Sequence, residues 1–294
     1  MKLSIIIVSW NTCELTLKCI RSVFKYLKDI DFEVFVVDNS SSDNTVEELE
    51  KLDYKNLKVI KNKENAGFSK ANNIGINQSQ GNLILLLNPD TELIDDTLIK
   101  IIEFINSDFK IGIVGPKLLN TDKTLQRSCR RFPKLIDQFF IQLKFYNFLP
   151  KKIISVRTYF MLDFDHNEIK EVDQIMGAAM LIKKEVLDEV GLFDEKFWST
   201  FEEVDLCKRI KDKEWKIYFN PECEIVHHKE QSFKQMASLR KQINFNHSLY
   251  RYFKKHKPFY QLFILWMLQP INILLAWVDN RVGVRNGFRK EKDL

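Results

Sequence analysis

Residues 82–90 read NLILLLNPD, an apolar run closed by an amide, a proline and a carboxylate. Consecutive apolar side chains from Leu83 to Leu87 fit a strand covered on both faces, as inside a parallel sheet. Toward the N-terminus, Leu3–Ser9 (LSIIIVS) carries the same signature, and Phe32–Val37 and Leu57–Lys61 are further strands. Between them apolar residues recur at helical spacing: Leu17, Ile20, Val23, Phe24 and Leu27 within 14–28, then Thr45–Leu52 and Ser69–Asn77. Ile94–Ile105 follows as another helix. The alternation β-α-β-α-β-α-β predicts an α/β protein with a parallel, doubly wound sheet. Right-handed crossovers bring the ends of the first, second and fourth strands to one edge, where such sheets bind ligands.

That edge collects chemistry. Asp38 ends a strand in VVDNSSSD, and its carboxylate can accept hydrogen bonds from a nucleobase imide or a ribose hydroxyl. A turn over 39–43, with Thr45 and Glu48 as a capping box, accounts for it equally. Asp90 can hold magnesium or manganese through one carboxylate, phosphate oxygens and water supplying the other ligands. Pro89 removes a donor and stiffens the turn, so Asn88 and Asp90 point in fixed directions; NPD is also an ordinary turn. In FEEVDLCKR (201–209), Glu202 and Asp205 suit a helix N-terminus. Three acids within four residues also repel one another, which raises a carboxylate pKa toward a general-base range. His227 closes a short strand, with His228 as a rival for the same role.

The remaining chain is less regular. Residues 127–171 are rich in Phe, Lys and Arg and are expected to form helices over the cleft or against a partner. Val172–Ile182 is strand-like around Gly177-Ala178-Ala179, Phe201–Ile210 opens a helix, and Lys216–His227 reads as two short strands around Asn220-Pro221. Phe259–Val278 holds 20 residues without a charge, long enough to span a bilayer. Gln261, Gln269, Pro270 and Asn272 weaken a simple spanning helix. Lys254, Lys255 and Lys257 precede it, and Arg281, Arg285, Arg289 and Lys290 follow. Basic residues on both sides suit a kinked helix lying in the interface; a core hairpin packed on the main domain or on a twin subunit is the other reading.

Composition narrows the function classes. The 294 residues are 45% hydrophobic and 29% charged, ordinary for a globular chain with a substantial core. The net charge of +5 is concentrated from Lys229 onward, beside aromatic and apolar residues. That favours an anionic membrane surface over nucleic acid. Five scattered cysteines with no CxxC pair give neither a zinc signature nor a disulfide framework and fit a reducing cytosol. A strand starting at Leu3 leaves no room for a cleavable signal sequence.

Eight segments in unbroken order carry a family resemblance: VSWN (8–11), VDNSSSD (37–43), NAGFSKANNIGI (65–76), LLLNPD (85–90), MGAAMLI (176–182), GLFDEKFW (191–198), FEEVDLCKR (201–209) and IVHH (225–228). Over roughly residues 3–235 the chain resembles the family 2 glycosyltransferases, more narrowly their bacterial rhamnosyltransferase-like branch. The resemblance implies a GT-A-like fold: a Rossmann-type, mostly parallel sheet with helices on both faces over 1–235. Residues 236–294 then form a C-terminal helical region for membrane association or oligomerisation.

The resemblance also implies a nucleotide-diphospho-sugar site. Ser9 and Asn11 would line the nucleotide pocket, and Asp38 would read the base. Asn65, Gly67 and Asn72 would shape the ribose and phosphate side, with Gly177 and Glu202 also in the donor site. Asp90 matches the metal-binding Asp, His227 a further metal or diphosphate contact, and Glu203 the catalytic base. Two positions depart from the pattern: Asn88 stands where most relatives have an Asp, and Glu203 where many have Asp. The implied cofactor is Mn or Mg, and the implied reaction an inverting single displacement. A dTDP-rhamnose donor and a glycan or lipid-linked acceptor are the expected substrates, and Arg130 and Arg131 are candidates for acceptor recognition. The expected setting is cytoplasmic, peripheral on the inner face of the cell membrane, with a homodimer through the apolar tail also open. Two alternatives compete. A sugar-nucleotide pyrophosphorylase needs a Gly-rich basic loop that Ser9–Cys13 lacks. A non-catalytic nucleotide-sugar-binding or membrane-surface scaffold does not need the acids that this chain keeps.

Overall fold

A computed structural model describes residues 2–28, 30–144, 154–197, 200–228 and 238–282. Four strands form the expected parallel half of the sheet: β1 (Leu3–Ser9), β2 (Phe32–Asp38), β3 (Leu57–Lys61) and β4 (Leu83–Leu87), in spatial order β3-β2-β1-β4. The order reverses between β1 and β4, which opens the ligand-binding crevice at their carboxyl ends. All residues of β2 and β4 are buried, whereas none of the edge strand β3 is. Hence the central strands lack a polar alternation.

Successive side chains leave opposite faces of the sheet, and two cores result. Ile5, Ile7, Val34 and Leu85 join one with Ile20 and Val23 of α1 (Cys13–Tyr26) and Ile101 of α4 (Leu98–Ser107). Ile6, Phe35 and Leu86 join the other, with Ile76 of α3 (Gly67–Gln78), Leu187 of α7 (Lys184–Val190) and Leu206 and Ile210 of α8 (Glu202–Asp212). Helix α3 lies so close to β1 that a Cβ on Gly75 would sit 2.5 Å from Ile6 Cγ2. α2 (Thr45–Glu50) completes the β2–β3 crossover.

Beyond β4 the sheet becomes mixed. β5 (Thr91–Leu93), β6 (Ile111–Leu119), β11 (Ala179–Lys183) and β12 (Lys216–His227) continue it in the order β4-β11-β6-β12-β5, with β11 antiparallel to both neighbours. Short strands trim this half: β7 (Leu125–Gln126) pairs with β6, β9 (Lys170–Glu171) with β12, and β8 (Cys129–Arg130) with β10 (Gln174–Ile175).

Several local expectations are corrected. Lys216–His227 is one strand, in which a register shift between Asn220 and Glu224 accommodates Pro221 as a bulge. Val172–Ile182 divides into β10 and β11, and 94–105 starts later, because Thr91–Leu93 is taken by a strand. Thr45 is not an N-cap; Asp43 Oδ1 instead accepts from the Thr45 hydroxyl and amide, and its Oδ2 from Cys13 N at 3.1 Å. Within 127–171, α5 (Leu135–Gln142) and α6 (Ile154–Tyr159) are the helices among the described residues.

The C-terminal helices α9 (Ser238–His256) and α10 (Phe259–Val282) pack on each other, and α10 also packs on α5. Leu249, Tyr252, Phe253 and Leu265 share a third core with Phe197, Phe201 and Val204. Asn272, buried in α10, donates to Gln142 O (2.7 Å) and accepts from Asn246 (2.9 Å). The expected boundary at 235/236, Trp198, and the basic residues Arg285, Arg289 and Lys290 lie outside the described residues.

Candidate active site

The two loops after β1 and β2 are laced together. Ser9 and Asp38 are paired in register at the strand ends. Asp38 accepts from Ser41 N (3.0 Å) and Ser41 Oγ (2.5 Å), which curls 38–41 into an Asx-type turn. Asn11, with φ of +51°, accepts from Ser42 N at 2.7 Å, and its own amide donates to Ser41 Oγ at 2.9 Å. Ser9 is fully buried, its hydroxyl bonded to those of Thr16 (2.9 Å) and Thr12 (3.2 Å). It seats the start of α1, so its bearing on a pocket is through the shape of the loop.

Asn65 Oδ1 accepts from Gly67 N (3.0 Å), and Gly67 opens α3 with φ of +77°, where a Cβ would be strained. Gly67 O in turn accepts from Asn39 Nδ2 at 3.2 Å, tying this helix start to the β2 loop. Asn72 is buried on α3 and donates to Phe68 O. Its neighbour Asn73, not singled out from sequence, grips the 193–195 loop through Phe193 N, Phe193 O and Glu195 Oε1. Regular helical spacing hides that role.

A contiguous line of contacts joins the remaining candidates. His227 Nε2 is 3.2 Å from Asp90 Oδ1, both side chains being buried. His228 faces Glu92 at 3.3 Å, which decides between the two histidines, and its amide donates to Asp90 O at 2.8 Å. Asn88 N donates to Ala178 O at 2.9 Å. Next to Ala178, a Cβ on Gly177 would stand 3.7 Å from Glu203 Cβ and 3.6 Å from Phe68 Cζ. The cation-type pair and the acidic pair thus flank one strip of backbone at the sheet edge.

Glu202 and Glu203 open α8 directly after Thr200 and Phe201, whose φ values are +70° and +67°. Two consecutive non-glycine residues in the left-handed region mark a constrained turn. Burial, then the charge of Glu203, pushes the Glu202 carboxyl above its ordinary range, and its Oε2 lacks a hydrogen-bond partner. Burial raises Glu203 as well, partly countered by the Arg130 guanidinium. Asp205 behaves differently. It is fully buried, and the bonds from His256 and Lys255 hold its carboxyl down at about 2. Glu202 and Glu203 are therefore raised by burial, with the charge of Glu203 acting on Glu202, whereas Asp205 is bonded to the C-terminal helix.

Arg130 stays near Glu203, packs over the Phe160 ring at 5.2 Å and is bonded to the Tyr159 side chain. Arg131 pairs with Asp173 (3.3 Å) and lines a separate open cavity of about 700 Å³ with Arg157, Asp163 and Lys170. Arg130 and Arg131 do not act together.

A divalent cation suits the donor chemistry at Asp90. A carboxylate oxygen and an imidazole nitrogen converge there; the carboxylate suits manganese or magnesium, and the imidazole favours the transition metal of the two. Among the described residues no group of three or more His, Cys, Asp or Glu gathers as a full cage. Two such donors would suit a cation shared with phosphate oxygens.

The family model described as glycosyl transferase family 2 matches residues 4–190. The chain is 28% identical over 228 residues to the low-salt glycan biosynthesis hexosyltransferase Agl10 of Haloferax volcanii, covering 76% of this chain and 65% of that protein. It is 21% identical over 272 residues to the N-acetylglucosaminyl-diphospho-decaprenol L-rhamnosyltransferase of Mycobacterium tuberculosis, covering 89% and 87%. Among solved structures, the mannosyltransferase PcManGT from Pyrobaculum calidifontis, in complex with GDP-Man and Mn2+, superposes with a TM-score of 0.58 at 17% identity, covering 97% of this chain and 75% of that one. GalNAc-T7 with UDP, GalNAc and Mn2+ gives 0.56 at 18% identity, covering 77% and 44%. The fold is that of the GT-A glycosyltransferases.

Proposed function

The chain belongs to glycosyl transferase family 2, and we propose that it is an inverting glycosyltransferase that moves a sugar from a nucleotide-diphospho-sugar to a hydroxyl of a glycan or lipid-linked acceptor. The observation that carries this reading is the contiguous line His227–Asp90–Asn88–Ala178–Gly177–Glu203 at the sheet edge. In this reading a diphosphate-neutralising pair and a base would lie along the same backbone strip.

In the proposed reaction the acceptor oxygen attacks the anomeric carbon, and the bond from that carbon to the diphosphate oxygen breaks. Glu203 takes the hydroxyl proton, and the nucleoside diphosphate leaves with the bonding pair. One displacement inverts the anomeric centre and needs no covalent intermediate. Asp90 and His227 would hold a Mn or Mg ion, which would supply Lewis-acid neutralisation of the leaving diphosphate. Asn11, Asp38, Asn65, Gly67 and Asn72 frame the nucleotide side, with the buried Ser9 supporting the loop. Burial raises the Glu203 carboxyl and so makes its carboxylate more basic, while nearby backbone amides and the Arg130 guanidinium draw it back. Rhamnose from dTDP-rhamnose is the favoured donor, on the likeness to the rhamnosyltransferase, and surface polysaccharide synthesis is the corresponding role.

We place the reaction at the inner face of the cytoplasmic membrane, with α10 lying in the interface. Phe259–Val278 is long and apolar enough to cross a bilayer, with a mean hydropathy of 1.6, and little of it is buried. Yet Leu265, Asn272 and Ala276 are buried against the protein, while Phe259, Phe263, Trp266, Met267, Ile271 and Leu274 stay exposed. A helix with one side seated on a polar domain presents its other side to lipid without spanning it.

The test is nucleoside diphosphate release from a panel of sugar nucleotides with manganese, magnesium or EDTA, beside Glu203→Gln and a membrane lipid extract as acceptor. Release from one donor that needs both metal and Glu203 supports the transferase. Tight nucleotide binding with no turnover under any condition would favour a non-catalytic binding protein.

A further inference from the structure

A backbone carbonyl sets the tautomer of His227 through two side-chain amides. Asn120 sits at the β6–β7 turn, where its Nδ2 donates to Leu125 O (3.3 Å) and Thr124 Oγ1 (2.9 Å). A carbonyl can only accept, so the amino group of Asn120 must face it and Oδ1 must face away. That oxygen accepts from Gln126 Nε2 at 3.1 Å. The orientation of Gln126 follows: its Oε1 is turned to His227 Nδ1, 2.5 Å away. Since Oε1 can only accept, Nδ1 carries the proton. Gln126 and His227 are buried at 2% and 6% exposure, so water does not substitute for this contact.

The consequence falls on the other ring nitrogen. With the neutral ring's proton on Nδ1, the Nε2 lone pair points at Asp90 Oδ1 across 3.2 Å. A lone pair facing a carboxylate is repulsive unless positive charge lies between them. We propose that Gln126, oriented by Asn120, is a positioning residue that holds His227 in the Nδ1–H form, so that Nε2 and the Asp90 carboxylate are set to grip one divalent cation. This rests on reading Asp90 and His227 as the cation-holding half of the site. It also gives the short β6–β7 hairpin a function, which is to place an amide behind the ligand histidine.

The direct test is nitrogen–proton correlation NMR on 15N-histidine-labelled protein loaded with a diamagnetic divalent cation (Zn2+) and UDP, with His227→Gln identifying the resonance. A ring protonated at Nδ1, with Nε2 free of a proton, is expected. A ring protonated at Nε2, or at both nitrogens, would overturn the assignment, the second making the pair a plain ion pair. The variants Gln126→Met and Gln126→Glu are then compared for Mn2+ binding by EPR, with and without UDP or dTDP. Loss of the acceptor should move the proton to Nε2 and weaken Mn2+ about 10–100-fold, as when other outer-shell partners of metal ligands are removed. Gln126→Glu, whose carboxylate accepts the same bond, should keep the Nδ1–H form and the Mn2+ affinity. Unchanged tautomer and affinity in Gln126→Met would overturn the proposal even if sugar transfer is intact. The expected tautomer and Mn2+ loss without any sugar transfer would leave it standing and count against the proposed activity alone. If Gln126→Met fails to fold, the wild-type tautomer still decides.

Discussion

Asp205 Oδ1 accepts from His256 Nε2 at 2.7 Å, joining the helix that bears Glu203 to the end of α9. Lys255 Nζ reaches the same oxygen at 2.8 Å, and Arg209 Nε reaches Oδ2 at 2.9 Å. Arg251, one turn back on α9, bonds Asp194 at 2.7 Å. The C-terminal helices are thereby fastened to the turn that presents the acidic pair, and the helix pair that carries the exposed apolar side chains of α10 is joined to the helix of the proposed base.

Asp205→Asn should therefore destabilise the protein by about 3 kcal/mol, the scale for breaking a buried ion pair from one side. Urea unfolding measures it. A change below about 0.5 kcal/mol, the usual surface-substitution range, would mean that α9 is held by its apolar contacts alone.

The same carboxyl predicts an acid limb in stability. Its folded pKa, about 2, lies below the unfolded value of 3.8. The contribution is fully present above about pH 4 and is lost as pH falls toward 2, because the unfolded chain then binds the proton first. The loss is about 2 kcal/mol, at about 1.4 kcal/mol per pH unit of separation. Melting temperatures between pH 5 and 2 should show this limb in the wild type and a shallower one in Asp205→Asn.

Glu203→Gln should lower kcat by about 10²–10⁴-fold, the range for losing a general base, while leaving nucleotide binding unchanged. The acid limb of the kcat/KM profile should lie above the ordinary carboxylate range, because burial raises Glu203. Activity then rises with pH through that raised pKa. Glu202→Gln should leave this limb in place, because the Glu202 carboxyl, pushed up to about 8, still holds its proton while Glu203 ionises; a shift to lower pH would show that Glu202 ionises first.

Asp90→Asn keeps the size of the side chain but removes the charge beside His227. Metal-stimulated diphosphate release should fall on the order of 10²-fold, as for loss of one electrostatic stabiliser of a leaving group. Titration with Mn2+ should show weaker binding. Wild-type metal dependence in Asp90→Asn would place the cation elsewhere.

Exposed side chains of α10 can be changed with little effect on folding. Phe263→Ser with Trp266→Ser, at positions 49% and 57% exposed, should release the protein from anionic vesicles in flotation. Each lost aromatic insertion is worth about 1.5–3 kcal/mol, so the pair should cost at least about 10²-fold in partitioning. Retained vesicle binding, or a shift in oligomeric state instead, would assign the face to a protein partner.

The parallel half of the fold was legible because β1, β2 and β4 are covered on both sides and are mostly apolar, the buried Ser4 and Glu33 meeting each other at 2.8 Å. The mixed half was not. β6 reads IGIVGPKLL, whose glycines and proline argue against a strand. Gly115 is needed because a Cβ there would lie 2.5 Å from Ile175 Cδ1, a contact from a segment 60 residues later in the chain. Within the site, Asp38, Asp90, Glu203 and His227 stood out because strand ends concentrate chemistry. Gln126 gave no signal, since a two-residue strand has no periodicity.

From residue order alone came the α/β class, the crevice at the β1–β4 reversal, the family and the identity of the acids and histidine that line one edge. These depend on local covering and on chain order, which periodicity records. Tertiary contact decided the rest: that Asp205 clamps α9 while burial raises Glu202 and Glu203, that His227 rather than His228 meets Asp90, and that Asn120 orients Gln126 behind it. Those outcomes depend on which way side chains point from packed elements distant in the chain, and no spacing along the chain encodes a direction in space.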